Sequence, residues 1–379
     1  MSLKRVLVVH PYGLGDFLFV TPVLRALRLI PSVEKVDLLL GSRTSDVARA
    51  NPHVDEIFVA DKGRYQKQGR IQTLREVTAL GRQLCARHYD LMLDYSLRSE
   101  YALAGRLFLG IPRTAGFDYK RRGFFHTVRY ALPDGFSGRP AVEIYCDLAE
   151  RAGIRVEDRW LELYISAAAQ ASAQQKWQAK TNRTDAGRFL FVSPGGGESW
   201  GKDAHFKQWP VPFFAELCTR ISKTGGLDGV VILGAPGEKE LAASLAQKLS
   251  MPCFNFAGEL SVLESAALLE RAALFLGNDG GLVHMAHALR VPLIAFYGPV
   301  DPAVYGPWPP STQALAVYKQ GLECRPCYAR FRYNSVCEKR ECLQELMPGD
   351  VWQQLSAKRW LEKVRGRIES REQSTENRK

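Results

Sequence analysis

Two segments of this chain follow one plan, and that repetition limits the fold more than any other feature. Each starts with a continuous apolar run, Val6 to His10 and Phe189 to Ser193. A run without polar alternation fits a strand buried on both faces of a parallel sheet. Each run enters a glycine loop, Pro11-Tyr12-Gly13-Leu14-Gly15-Asp16 in the first and Gly195-Gly196-Gly197 in the second, and a helical pattern follows. Strand, loop and helix in series build a doubly wound α/β domain. The expected fold class is α/β, with two Rossmann-like, doubly wound domains facing each other across a cleft.

The spacing after the first loop predicts a helix over about 17–29, a strand over 35–40 and a helix over about 44–50. A short strand over 57–60, a helix over 72–87 and a strand over 91–94 follow. Residues 167–180, rich in Ala and Gln, predict a helix closing the first domain. The polar stretch Thr181-Asn182-Arg183-Thr184-Asp185 then marks the boundary. In the second domain the pattern predicts helices over 212–223, 238–249, 261–271 and 281–289, and strands over 229–233, 274–277 and 292–296. The domains are therefore read as 1–180 and 186–348. A last helix, about 351–366, is expected to pack back on the first domain, and the polar tail 370–379 to be disordered.

With 379 residues and 46% hydrophobic content the chain has material for two real cores. It has no apolar stretch of about 18 residues. Its start runs straight into a strand without the features of a signal peptide. A cytoplasmic protein is expected, with peripheral contact at the inner face of the inner membrane allowed. The net charge of +11 calls for an acidic partner. Residues 1–150 carry 22 Lys and Arg against 16 Asp and Glu, an excess that reads as spread along the chain. No nucleic-acid motif accompanies it, so an anionic substrate fits better than nucleic acid.

Four places are suited to chemistry. In Gly277-Asn278-Asp279-Gly280-Gly281-Leu282-Val283-His284 a strand ends and a helix begins. The helix start offers free N–H groups and a partial positive charge to a diphosphate, glycine allows close approach, and Asp279 is placed to cap the helix. An ordinary tight turn with a capping Asp explains it equally well. Ser193-Pro194-Gly195-Gly196-Gly197, with Lys202 and Lys207-Gln208-Trp209-Pro210 behind it, offers backbone N–H groups and a lysine to neutralise a leaving diphosphate. A flexible loop with solvated lysines is the alternative. Asp16, after the first strand, suits a general base or a helix cap. The first loop lacks the third glycine of the dinucleotide fingerprint. In Gly234-Ala235-Pro236-Gly237-Glu238 the glutamate suits a ribose contact or a helix N-terminus.

These segments resemble glycosyltransferase family 9, the ADP-heptose:lipopolysaccharide heptosyltransferases. The likeness rests on Gly15-Asp16 with Thr21-Pro22, Tyr89-Asp90-Leu91-Met92-Leu93-Asp94, Arg98-Ser99, Ile111-Pro112-Arg113 and Gly116-Phe117. It continues through Lys207-Gln208-Trp209-Pro210, Gly234-Ala235-Pro236, the 278–284 turn, Tyr297-Gly298-Pro299 and Asp301-Pro302. Each piece is weak; their order, from residue 5 to about 345, is specific. The resemblance implies a GT-B fold and inverting transfer of heptose from ADP-heptose to a lipopolysaccharide inner-core acceptor, with no cofactor needed for the chemistry. It implies Asp16 as catalytic base and Lys207 as the lysine on the donor phosphates. For donor binding it implies Asp279, Gly280, Gly281 and His284, with Glu238 at the nucleoside and Leu260 near the adenine; the glycine loop itself suggests Ser193, Gly195 and Gly196 as further donor contacts. Some members carry Thr-Gly after the turn's Asp; here Gly280-Gly281 removes that hydroxyl. Lys62, Arg64, Arg113, Arg121 and Arg122 are candidate contacts to the anionic acceptor, or a solvated basic face.

Of eight cysteines, Cys85, Cys146, Cys218 and Cys253 are scattered and expected to be buried. Cys324, Cys327, Cys337 and Cys342 cluster, and a structural Zn or Fe site is one expectation for them. Reduced, packed thiols are the other. Other functional readings stay open: a related transferase using another nucleotide sugar or a protein acceptor, a nucleotide-sugar epimerase, and a non-catalytic nucleotide-binding protein.

Overall fold

The structure is a computed structural model. It describes residues 3–184, 188–333, 337, 339–360, 362 and 366. The tail 370–379 and Asp185 of the polar stretch lie outside the described residues. The chain divides into two compact units, Met1–Tyr164 and Ile165–Lys379.

The first unit runs β1 (Arg5–His10), α1 (Leu14–Arg28), β2 (Lys35–Leu40), α2 (Ser45–Arg49), β3 (Glu56–Val59), α3 (Lys62–Lys67), α4 (Arg70–Cys85), β4 (Leu91–Asp94), α5 (Ser99–Leu103), β5 (Arg113–Asp118), β6 (Val128–Ala131) and α6 (Ala141–Arg151). Its six strands are all parallel, in the order β3-β2-β1-β4-β5-β6. The apolar run read for β1 is confirmed: Val6 to Val9 are buried. α1 begins earlier than expected, so Leu14, Gly15 and Asp16 form its first turn and not a loop. α3, α5, β5, β6 and α6 are additions to the sequence reading.

The second unit runs α7 (Ala167–Thr181), β7 (Phe189–Ser193), α8 (Val211–Gly225), β8 (Gly229–Ile232), α9 (Lys239–Lys248), β9 (Cys253–Asn255), α10 (Val262–Leu269), β10 (Leu274–Asn278), α11 (Gly281–Ala288), β11 (Leu293–Phe296), α12 (Pro302–Tyr305) and β12 (Ala314–Val317). A hairpin of β13 (Tyr328–Ala329) and β14 (Arg332–Tyr333) precedes α13 (Glu341–Gln344) and α14 (Pro348–Ala357). The main sheet is again parallel and six-stranded, in the order β12-β11-β10-β7-β8-β9. β12 extends it beyond the strand expected to be last.

Two packing facts correct the domain reading. α7 belongs to the second unit: its Trp177 is fully buried against Phe189, Phe254 and Phe256. Lys176 and Ser172 of α7 also bind Glu264 of α10 at 2.8 and 2.6 Å. An Ala/Gln surface says little about a helix's partner, so the sequence alone does not assign it to this unit. Likewise, Val351, Leu355 and Trp360 of the C-terminal segment join the core of the second unit. The described residues of that helix thus pack where the sequence reading had not placed them.

In each sheet the chain builds outward from one central strand and returns to the other side. Loops leaving the carboxyl ends therefore diverge at that point and leave a crevice suited to a ligand. The switch falls between β1 and β4 in the first unit and between β7 and β10 in the second.

Candidate active site

In the first unit Asp16 follows β1, at the switch point. It sits in the first turn of α1 behind the N-cap Gly13, whose Cβ position lies 4.0 Å from Asp16 Oδ2. Around it the carboxyl edge is lined by buried polar groups. The hydroxyl of Tyr12 accepts from Leu97 N at 2.7 Å. Burial raises the Tyr12 pKa, with Asp94 and Asp16 adding to the shift, so the phenol stays protonated. Asp94, at the end of β4, accepts from Ser96 N at 2.8 Å and stands 3.4 Å from His126 Nε2. The glycine at 116 makes room for that histidine: a Cβ there would lie 2.2 Å from Nε2. His10, fully buried between Tyr12, Phe17 and Tyr145, has its pKa pushed down by burial to about 3 and lies against the backbone of Asp16. Tyr12, Asp94, His126 and His10 were not singled out from sequence. The signal available for His10, Tyr12 and Asp94 was their position at a strand end; His126, in the turn before β6, offered none.

The acceptor candidates are dispersed over this unit. The Lys62 side chain lies outside the described residues. Arg64 pairs with Glu76. Arg122 donates to Leu97 O at 3.2 Å, and Arg121 is exposed at a positive φ of 62°. Arg113 is a correction. It opens β5 at the amino edge of the sheet, opposite to Asp16, and donates to Ala152 O at 2.8 Å, which gives it a structural use.

In the second unit the loops after β7, β8 and β10 leave from one edge. Ser193 ends β7, pairs in register with Gly277 and is buried. Asn278 ties the loops together: Nδ2 donates to Pro194 O at 2.7 Å, and Oδ1 accepts from Trp209 N at 3.0 Å. Asp279 is not the helix cap; Gly280 is the N-cap of α11, with Gly281 its first residue. The Asp279 carboxylate instead meets Lys207 Nζ at 2.7 Å, in a pair whose side chains are 7% and 6% exposed. Trp200 covers the same ammonium, with Nζ 4.5 Å from its ring centre, and Tyr328 packs on Trp200 at 4.9 Å with the rings tilted by 32°. His284 lies one turn into α11. Burial lowers its pKa to about 4; Asp279 opposes the shift and Lys207 adds to it. It is therefore neutral near pH 7.

Glu238 also differs from expectation. Its carboxylate accepts from Gly197 N at 3.0 Å and Ala235 N at 2.8 Å, so it braces the glycine loop. A Cβ at Gly195 would stand 1.8 Å from Glu238 Oε1, so a side chain there would push the brace out of place. Leu260 is half-buried just before α10.

The structural metal expected at Cys324, Cys327, Cys337 and Cys342 is not supported. Among the described residues no group of three or more His, Cys, Asp or Glu is arranged to hold a metal ion. Two of the thiols have backbone partners: Cys327 Sγ donates to Cys324 O at 3.1 Å, and Cys337 Sγ accepts from Arg340 N at 3.3 Å. All eight cysteines are free; Cys85 is exposed, against the expectation of burial, while Cys146 and Cys218 are buried. Among the described residues no helix is long and apolar enough to cross a membrane.

The family model for glycosyltransferase family 9 (heptosyltransferase) matches residues 77–335, more than half of the chain. Lipopolysaccharide heptosyltransferase 1 of Salmonella typhimurium is 27% identical over 326 residues, covering 84% of this chain and 96% of the relative. Two solved structures from E. coli are similar. The ADP-heptose lps heptosyltransferase II superposes with a TM-score of 0.70 at 22% identity, covering 95% of this chain and 100% of that one. A heptosyltransferase solved with ADP gives 0.69 at 21%, covering 94% and 100%. At such identity these two likenesses establish the fold, GT-B. Fold and sequence together define a glycosyltransferase. The chain belongs to glycosyltransferase family 9, the heptosyltransferases.

Proposed function

We propose that this chain transfers a heptose from ADP-heptose, with inversion, to an anionic lipopolysaccharide inner-core acceptor at the inner-membrane surface. The observation that carries this reading is the buried Lys207–Asp279 pair at the switch point of the second sheet. Donor chemistry is supported further by the relatives, one named for ADP-heptose and one solved with ADP.

The acceptor hydroxyl attacks the anomeric carbon from the face opposite the diphosphate. Asp16 takes its proton as the bond from that carbon to the phosphate oxygen breaks. ADP leaves with the electron pair. An ammonium has three N–H donors, and Asp279 occupies one, which leaves donors on Lys207 for phosphate oxygens. The N-terminal N–H groups of α11, at Gly280 and Gly281, add a partial positive charge at the same edge. Glu238 and Asn278 hold the 194–197 loop in shape before the donor arrives, which limits the reorganisation needed during reaction. No metal is needed for this step.

Asp16→Asn keeps size and polarity but removes the base. Turnover is expected to fall by about 10²–10⁴-fold, with donor affinity by calorimetry unchanged. A comparable loss of donor affinity would refute the assignment of Asp16 to the acceptor proton.

A further inference from the structure

The segment 62–87 concentrates charge that reads as spread along the sequence. It holds seven Lys and Arg against one acid, Glu76, and so carries more than half of the net +11. Its main element, α4, is an unusual surface helix: of its residues only Leu84 is fully buried. At about 100° per residue, Ile71, Leu74, Thr78, Gly81 and Cys85 fall on one outward stripe. Ile71 is 73% and Leu74 64% exposed, and Val77, at the stripe's border, is 45% exposed. Arg70 flanks the stripe on one side and Arg75 and Arg82 on the other. The acid points elsewhere, where Arg64 and Gln68 bind it. Among the described residues no carboxylate pairs with Arg70, Arg75 or Arg82. A depression of about 330 Å³ opens between α3 and α4, lined by Tyr65, Gln68, Arg70, Thr73, Leu74 and Val77.

We propose that the outward face of α4 docks on an anionic phospholipid surface, with Ile71 and Leu74 entering the headgroup boundary and the three arginines binding phosphates. An apolar stripe edged by arginine is the arrangement of helices that lie in a membrane interface. Cations of one sign match the negative potential of anionic lipids. A protein partner fits less well. A stable protein interface buries about 800 Å² on each side, more than the outward stripe of one 16-residue helix offers. The docking acts in the unit that holds Asp16 and is independent of the transfer chemistry.

The test is co-sedimentation of the full chain with vesicles of phosphatidylcholine alone and of phosphatidylcholine with about 30 mol% phosphatidylglycerol. The expected result is capture by the anionic vesicles at low salt, release at about 0.5 M salt, and no capture by the neutral ones. Arg70→Gln with Arg75→Gln and Arg82→Gln is expected to lower the bound fraction about tenfold. Ile71→Ser with Leu74→Ser is expected to lower it about fivefold at unchanged charge. Thermal melts establish that both variants fold. Absence of capture of the wild-type chain, or equal capture of wild type and both variants, overturns the proposal. Loss with the arginine variant alone overturns insertion of the stripe. Transfer to an acceptor stripped of its acyl chains is expected to be equal in wild type and variants, so failure of docking is distinguishable from failure of the proposed activity.

Discussion

Lys207 and Asp279 meet nearly out of contact with water, and each is costly alone. Removing one partner of a buried pair leaves an uncompensated charge, at about 3–5 kcal/mol, whereas replacing both with apolar groups is often neutral. Lys207→Met is therefore expected to destabilise the protein strongly, and Lys207→Met with Asp279→Leu to recover most of that loss, while both lose donor affinity. Urea titrations of the two variants check this; a double variant less stable than the single would contradict it. Both residues were legible in the sequence, but as a phosphate contact and a helix cap. Their pairing was not, because it depends on β7 and β10 being neighbours in the sheet. The same holds for Glu238, whose use as a brace follows from the loop folding back on it. Asn278 was visible within its motif, yet only the geometry shows that its amide joins two loops.

Among the elements, α7 is the instructive case. Its ends were legible within a residue: Ser166 caps it, accepting from Ala169 N at 3.2 Å, and Asn182 closes it at a positive φ of 55°. Its allegiance was not legible, because Ala and Gln give no strong apolar face and the decision rests on Trp177. A fragment starting at residue 165 is expected to unfold cooperatively, and one starting at 186 to lack a cooperative transition. Equal cooperativity in both would contradict the place given to α7. The α7–α10 contact also carries a pH signature. Burial acts to raise the Glu264 carboxyl, but bonds from Lys176, Ser172 and Ser261 N outweigh it and bring its pKa to about 2, below the ordinary 4.5. That contribution is complete above the unfolded value and is lost as pH falls toward the folded one. The missed strands have plain causes: β5 mixes Arg, Thr, Gly and Asp with its apolar residues, and β6 is a partly exposed edge strand.

Across the whole molecule, the two-unit α/β plan was legible because buried parallel strands read as apolar runs followed by glycine turns. The charge distribution was not, since counting over long windows averages away one helix face. Three buried histidines link both units to pH. Burial holds His10 at about 3 and His284 and His287 at about 4, against an ordinary value of 6.5. Folded values below unfolded ones mean that stability is complete above about pH 6.5 and declines as pH falls toward 4. Denaturation midpoints that drop steadily between about pH 7 and 5 are expected; a flat profile would show these rings protonated or exposed.

The most direct test of the central claim is product formation by the purified full chain. The chain would be offered ADP-heptose, UDP-sugars and GDP-sugars in parallel, with a heptose-free lipopolysaccharide core. ADP release accompanied by a one-heptose mass gain on the acceptor, with the anomeric centre inverted and no product from the other donors, is the predicted result. Product from a UDP- or GDP-sugar with none from ADP-heptose, or retention at the anomeric carbon, would contradict it.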